Sequence, residues 1–399
     1  MSEDPTAGRL ARRMRRVTAS AIMEILKATA KGNYISFASG LPDPALFPTT
    51  ALAEIAEDVL VQDGRTALQY GAAEGYAPLR AWVAENLRKR GLTAATPEHI
   101  LITQGSQQAL DLVARAFLEP GSPVLLETPT YLAALQTFDS YEADYLIAPM
   151  DDEGMQVAEA AKLAASRRPQ LIFTLPNFQN PTGITQSLAR RQQLAELAAA
   201  QELPLLEDDA YHDLRYEGEA IPPVSALSAN PLAIYTGTFS KIVAPGLRVG
   251  YVYAHPALIA RLVQLKQITD LHTGSFTQRM VYQFCERGLL EGQIATIQAT
   301  YRSRRDALLA ALENTLSPIA TWTHPTGGMF VLVTLSPEQD ASALLPEVMQ
   351  RGVVYVPAAA FYPDNSGAHK LRLNFVSADE DSIRRGVTTL AEILLAQKA

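Results

Sequence analysis

The chain has 399 residues, of which 48% are apolar and 19% charged, and its net charge is -8 with a pI near 5.4. That length suggests about two domains, the apolar share excludes global disorder, and the acidic balance argues against nucleic acid as a partner while leaving room for a small anionic ligand. Cys285 is the single cysteine, which excludes an intrachain disulfide and a cysteine-based metal cluster, and no apolar run approaches the ~20 residues of a membrane span.

Residues 6–31 read as a basic, partly amphipathic helix with Ile22, Ile25 and Leu26 at helical spacing. Arg9, Arg12, Arg13, Arg15 and Arg16 break any signal-peptide core, so a cytoplasmic protein is expected. Those arginines read most simply as a solvated helix face. Gly32-Asn33 ends the helix, and Gly40, Pro42, Pro44 and Pro48 make residues 33–50 an extended connector. From 51 to 290 helical stretches (51–62, 76–90, 106–118, 188–201) alternate with β-rich runs (123–127, 171–175, 204–207, 232–236, 249–253). Such alternation predicts an α/β domain with a mainly parallel sheet, whose ligands bind beyond the carboxyl ends of the strands. A helix over 291–314, runs at 328–334, 353–356 and 371–375 and a helix over 340–351 read as a smaller α+β unit over 291–399. The segment 1–50 is expected to pack on it.

Several segments carry candidate chemistry. Gly105-Ser106-Gln107 opens a helix, where free N–H groups make an anion site, although Ser106 could equally be an N-cap. Tyr131 could stack on a flat ring. Asn180-Pro181-Thr182-Gly183 reads as a loop whose Asn180 amide could donate to a ligand oxygen. Asp208 follows a strand-like run. It could hold a proton on a pyridine nitrogen, with Tyr211 three residues on, or both could belong to an Asp-rich turn.

Thr238-Phe239-Ser240-Lys241, with Arg248 seven residues later, sets an amine beside hydroxyls and a guanidinium. An amine captures an aldehyde as a Schiff base, and the other groups grip phosphate. Pyridoxal phosphate is the common molecule with both features. Arg372, between Leu371 and Leu373, could clamp a carboxylate bidentately or point from a sheet to solvent. His212 and His272 lack the partner spacing of a metal site or triad, so no metal is expected.

Taken together, Gly105-Ser106-Gln107-Gln108, Pro176 to Gly183 (PNFQNPTG), Asp208-Asp209-Ala210-Tyr211 and Thr238 to Lys241 with Arg248 resemble the class I/II aminotransferases of PLP fold type I. The likeness extends to Ser36 to Pro42 (SFASGLP) and Leu371 to Phe375 (LRLNF). The 2-aminoadipate (LysN-like) and kynurenine aminotransferases are the nearest subgroup, through Ala19 to Lys27 (ASAIMEILK). Met23, where that subgroup often has arginine, and FASG around Gly40 in place of the commoner FAGG depart from the pattern.

The resemblance implies a large PLP-binding domain over 51–290, a small domain over 291–399, and these roles. Lys241 is the Schiff-base lysine and proton shuttle, and Asp208 pairs with the pyridine nitrogen. Asn180 and Tyr211 hold the ring oxygen. Ser106, Gln107, Thr238, Ser240 and Arg248 bind the phosphate, and Tyr131 stacks on the ring. Arg372 takes the substrate α-carboxylate, with Gly40 and Asn180 beside it. Tyr70 reaches the phosphate of a neighbouring subunit, which implies a homodimer with shared sites. Arg16, four residues before Ser20, aligns with a position that reads acidic side chains, moving on the N-terminal helix. The reaction implied moves an amino group from an α-amino acid (2-aminoadipate, glutamate, aromatic or branched-chain) to a 2-oxoacid such as 2-oxoglutarate. A PLP β-lyase on the same fold is an alternative. A MocR-like regulator is another, but only about 30 residues precede the connector here, too few for its winged helix.

Overall fold

A computed structural model describes residues 8–29, 32–364 and 366–396. In chain order the first ten strands are β1 (Ile35–Ser36), β2 (Ile100–Thr103), β3 (Pro123–Thr128), β4 (Asp144–Asp151), β5 (Gly154–Met155), β6 (Leu171–Thr174), β7 (Leu205–Asp208), β8 (Ala233–Thr238), β9 (Gly250–Tyr253) and β10 (Thr321–Trp322). β2 to β9 form one eight-stranded sheet in the order β2-β9-β8-β7-β6-β3-β4-β5. β4, β3, β6, β7 and β8 pair in parallel, and β9 runs against both β8 and β2.

β2, β6, β7 and β8 are buried end to end because helices cover both faces. Side chains alternate across the sheet, so Leu126, Phe173 and Leu206 pack with the helices Gly105–Phe117 and Pro256–Asp270, while their neighbours Leu125, Ile172 and Leu205 pack with Val157–Ser166 and Leu188–Ala200. Thr128, Thr174, Asp208 and Thr238 end their strands along one edge.

The remaining strands are β11 (Phe330–Thr334), β12 (Val353–Val354), β13 (Val356–Pro357) and β14 (Lys370–Asn374). They give a four-stranded antiparallel sheet, β10-β11-β14-β13, and a parallel pair of β1 with β12. The 28-residue helix Leu289–Leu316 joins the two sheets and packs along the last helix, Glu380–Ala396.

The single basic helix expected over 6–31 is instead two pieces, a 3-10 turn at Arg12–Arg15 and a helix at Ala21–Thr29, with residues 1–7, 30 and 31 outside the described set. Four arginines crowded into two turns repel one another, and two find acceptors elsewhere. Arg12 makes a fork to Glu142, and Arg16 donates to the Ala143 carbonyl at 2.7 Å. Ile22 and Ile25 pack against the cluster of Leu332, Val354, Val356 and Phe361 in the C-terminal sheet. Among the described residues no helix is long and apolar enough to cross a membrane.

Candidate active site

Local chain geometry at the strand ends brings the candidate residues together. β7 ends on Asp208, whose carboxylate is buried and accepts from the Thr236 hydroxyl of the adjacent strand at 3.2 Å. Burial raises its pKa to about 7; the neighbouring Asp209 adds to the rise, while the Thr236 hydroxyl and the Lys241 ammonium oppose it. Asp209 faces the other way, as successive residues on a strand do. It accepts from Asn177 at 2.7 Å, Tyr235 at 2.9 Å and His212 at 3.1 Å. Burial alone would raise its pKa, but His212, Asn177 and Arg191 together hold it well below the usual carboxylate range. Two adjacent aspartates thus differ sharply. Asp209 is a satisfied anion, and Asp208 has room for one cationic partner.

Lys241 follows β8 and is half-buried, and its Nζ donates to the Gly40 carbonyl at 3.2 Å and lies 6.0 Å from the Tyr211 ring centre. Burial lowers its pKa to about 8; Asp208 opposes this, while Arg248 and Arg372 push the same way. Near neutral pH the amine is still mostly protonated, but far more of it is neutral than in an ordinary exposed lysine.

Arg372 lies on β14 but faces inward, 1% exposed, so the solvated-face alternative fails. It stacks over Phe330 at 4.2 Å and Phe361 at 5.1 Å, and donates to Asn180 Oδ1 at 2.9 Å and the Ala38 carbonyl at 2.8 Å. Burial lowers its pKa to about 10. Its Nε has no partner, and no carboxylate pairs with it among the described residues. A buried cation left so is a site for an anion. Because Asn180 Oδ1 accepts from Arg372, its amide NH2 is left to face the neighbouring Tyr211 hydroxyl. Tyr211 stands edge-on to Phe330 at 6.0 Å, and burial raises its pKa. Tyr131 is raised to about 12 by burial and sits in the fields of Asp208, Arg372 and Arg248.

A phosphate cradle lies beside them. The helix Gly105–Phe117 begins one residue before Ser106, so Ser106 is in the first turn and not the cap. Arg248 has a left-handed backbone (φ 54°), which swings its guanidinium onto the Gln104 carbonyl at 2.9 Å. A Cβ on Gly105 would lie 2.7 Å from that guanidinium, and one on Gly250 would lie 2.7 Å from the Gly105 backbone. Thr238 Oγ1 donates to Ser240 Oγ at 2.9 Å. Gln107 donates from its amide to Thr137 at 2.7 Å, at the rim of an open cavity of about 740 Å³ that Arg248 also lines. Helix N–H groups, two hydroxyls and a guanidinium fit a phosphate. Asp208, the Asn180–Tyr211 pair and Lys241 fit a pyridine nitrogen, a ring oxygen and an aldehyde carbon.

Two expected residues stand apart. Tyr70 is 76% exposed, edge-on to His272 at 5.7 Å. Arg16 bonds Ala143 and faces Asp144, the first residue of β4, 3.9 Å away. In the β3–β4 register Asp144 pairs with Pro123 and Pro149 with Thr128. Arg16 is therefore at the strand-start edge, about 17 Å along the strand from the Thr128 end. The acceptors on the 142–144 turn hold it there.

Sequence reasoning missed Glu127, Gln179, Thr182 and Asp209, all buried behind the site. Gln179 and Thr182 lie inside the PNFQNPTG segment already singled out, and Asp209 is next to Asp208. Glu127 ends a run of apolar strand residues, and nothing local marks it as buried.

A family model for aminotransferase class I and II matches residues 32–390. The aromatic-amino-acid aminotransferase 1 of Thermococcus litoralis is 42% identical over 383 residues, 94% of this chain and 91% of that protein. The α-aminoadipate aminotransferase LysN of Thermus thermophilus, solved with N-(5'-phosphopyridoxyl)-L-leucine, superposes with a TM-score of 0.91 at 38% identity over 98% of each chain. The kynurenine aminotransferase of Pyrococcus horikoshii, solved with PMP, superposes with 0.93 at 40% identity over 98% of each.

Proposed function

The chain belongs to aminotransferase class I and II and is a pyridoxal-phosphate-dependent transaminase of fold type I; from that premise we propose the role of each residue in its site. When bound, the cofactor supplies an electron sink that acidifies the substrate's α C–H. Lys241 carries the cofactor and, once displaced by substrate, moves the proton from the α-carbon. An amine whose pKa is brought down to about 8 suits that task.

Asp208 keeps a proton on the ring nitrogen, which in turn satisfies its own buried charge. The Asn180 amide and the Tyr211 hydroxyl bind the ring oxygen, and Tyr131 covers a ring face. Ser106, Gln107, Thr238, Ser240 and Arg248 bind the phosphate. Arg372 takes the substrate carboxylate, with the Gly40 backbone beside it. The observation that supports this reading most is the buried Arg372 guanidinium with a free Nε, bonded to the same Asn180 that meets Tyr211. Arg372 thereby ties substrate binding to the cofactor's oxygen.

The exposed Tyr70 is the residue offered to a second copy, so the working form is a homodimer. Residues 51–290 hold the cofactor, and 291–399 with the N-terminal connector bring Arg372 and Gly40 to it. The donors are aromatic amino acids, 2-aminoadipate, glutamate or branched-chain amino acids, and the acceptor is 2-oxoglutarate.

A panel of amino donors with 2-oxoglutarate, read by glutamate formation, tests this. Glutamate from an aromatic or 2-aminoadipate donor is the expected result. Pyruvate and ammonia formed without an added oxoacid would assign the site to elimination instead.

A further inference from the structure

Behind Asn180 lies a buried chain of hydrogen bonds that joins the end of one strand to the loop holding that residue. Glu127, on β3, is 1% exposed and has no cationic partner among the described residues. Its carboxylate instead collects donors: Thr174 Oγ1 at 2.7 Å, the Leu175 N–H at 2.9 Å and the Gln179 amide at 3.4 Å. Gln179 is fully buried and used at both ends. Its Nε2 also donates to the Pro129 carbonyl at 2.5 Å, and its Oε1 accepts from the Thr182 N–H at 3.0 Å and hydroxyl at 2.7 Å. Its backbone closes the same loop, with its N–H on the Ile184 carbonyl at 2.9 Å and its carbonyl taking the Gly183 N–H at 2.6 Å. Asn180 sits between these anchors.

A buried carboxylate held only by hydrogen bonds is costly, and an apolar isostere would fill the space with less desolvation. Burial also lifts the pKa of this group to about 7 against its three donors. What the acid supplies is direction. Two acceptors, the Glu127 oxygen and the Pro129 carbonyl, require the NH2 of Gln179 to face them, which turns the Gln179 carbonyl toward Thr182 and fixes both flanks of Asn180.

We propose that Glu127 and Gln179 are positioning residues that hold the Asn180 amide at the cofactor's ring oxygen. This rests on the reading of Asn180 given above. Neither residue touches substrate or cofactor; each acts through the loop. Loosening the loop weakens the donor to an anionic oxygen, which raises the proton affinity of the bound cofactor.

The test uses Gln179→Ala and Glu127→Gln holoenzymes, with Asn180→Ala and a core control, Val281→Ala, beside them. Two readouts are taken: the pH midpoint of the bound cofactor's absorbance, and cofactor affinity. Gln179→Ala is expected to raise the midpoint and weaken cofactor binding ~10-fold, the low end of what outer partners contribute at a site. Glu127→Gln, which can still accept from Leu175 and Gln179, is expected to move both in the same direction by less. Val281→Ala is expected to lower the melting temperature and leave the midpoint unmoved.

A wild-type midpoint and affinity in either Gln179→Ala or Glu127→Gln, while Asn180→Ala shifts the midpoint, overturns the proposal and spares the role of Asn180. An unshifted midpoint in Asn180→Ala overturns the premise. If Gln179→Ala does not fold, Glu127→Gln decides alone, since it keeps the size and most of the bonds.

Discussion

Asp208 and Asp209 show how far one residue's surroundings outweigh its type. Both are buried, but only Asp209 has its acceptors filled by Asn177, Tyr235 and His212. Asp208 is left with one hydroxyl and a pKa raised from 3.8 to about 7. The folded, cofactor-free protein therefore binds more protons at this site than the unfolded chain does between those two values, and its stability falls as pH rises through that window. Asp208→Asn removes the titration. The cofactor-free variant is expected to be more stable than cofactor-free wild type at pH 8, by about 1–4 kcal/mol, with the gap shrinking toward pH 6. Urea unfolding at the two pH values checks this, and adding pyridoxal phosphate is expected to reverse the order. Equal stabilities at pH 8 would mean that Asp208 is not an uncompensated buried anion. The sequence showed Asp208 as a candidate because it ends a strand-like run, but could not show which aspartate faces the site. That depends on the β7–β8 register, which sets Thr236 against Asp208.

At the scale of elements, the phosphate cradle depends on three backbones meeting. Gly250 opens β9 and touches Gly105 at the start of the helix, and Arg248 closes the gap from a left-handed position. Gly250→Ala would put a methyl group 2.7 Å from the Gly105 carbonyl carbon and 2.9 Å from the Ser106 nitrogen. Backbone cannot yield there as a side-chain tip would. The expected result is a loss of cofactor affinity on the order of 10-fold or more with the fold retained, read by cofactor titration against the far-UV spectrum. Unchanged affinity would remove this helix terminus from the phosphate site. Gly105-Ser106 and Arg248 were legible as separate signals, because helix N-termini and arginines have known uses for anions. Gly250 was not, since a close approach between segments far apart in sequence leaves no local mark. The N-terminal arginines failed in the opposite sense. Their helical spacing was clear, but acceptors on the 142–144 turn decide where Arg12 and Arg16 go.

Across the whole molecule, the central sheet sets Asp208, Thr238 and the Lys241 turn along one edge, and the C-terminal sheet brings Arg372 to it from the far end of the chain. Alternating helices and strands made the mainly parallel sheet readable, because periodicity is a property of each segment. The meeting of Arg372 with Asn180, 192 positions apart, is not such a property. It became an expectation only through the joint order of motifs that resemble a known family. The buried support behind the site, Glu127 with Gln179, stayed hidden because a glutamate at a strand end resembles any surface carboxylate until the fold encloses it.

Lys241 carries the account, since every other assignment is arranged around the cofactor it holds. Treating the pyridoxal-phosphate-loaded protein with borohydride and mapping its peptides tests that most directly. A reduced pyridoxyl group on the Lys241 peptide, and on no other lysine, is the predicted result. A loaded protein whose Lys241 peptide comes back unmodified would contradict it.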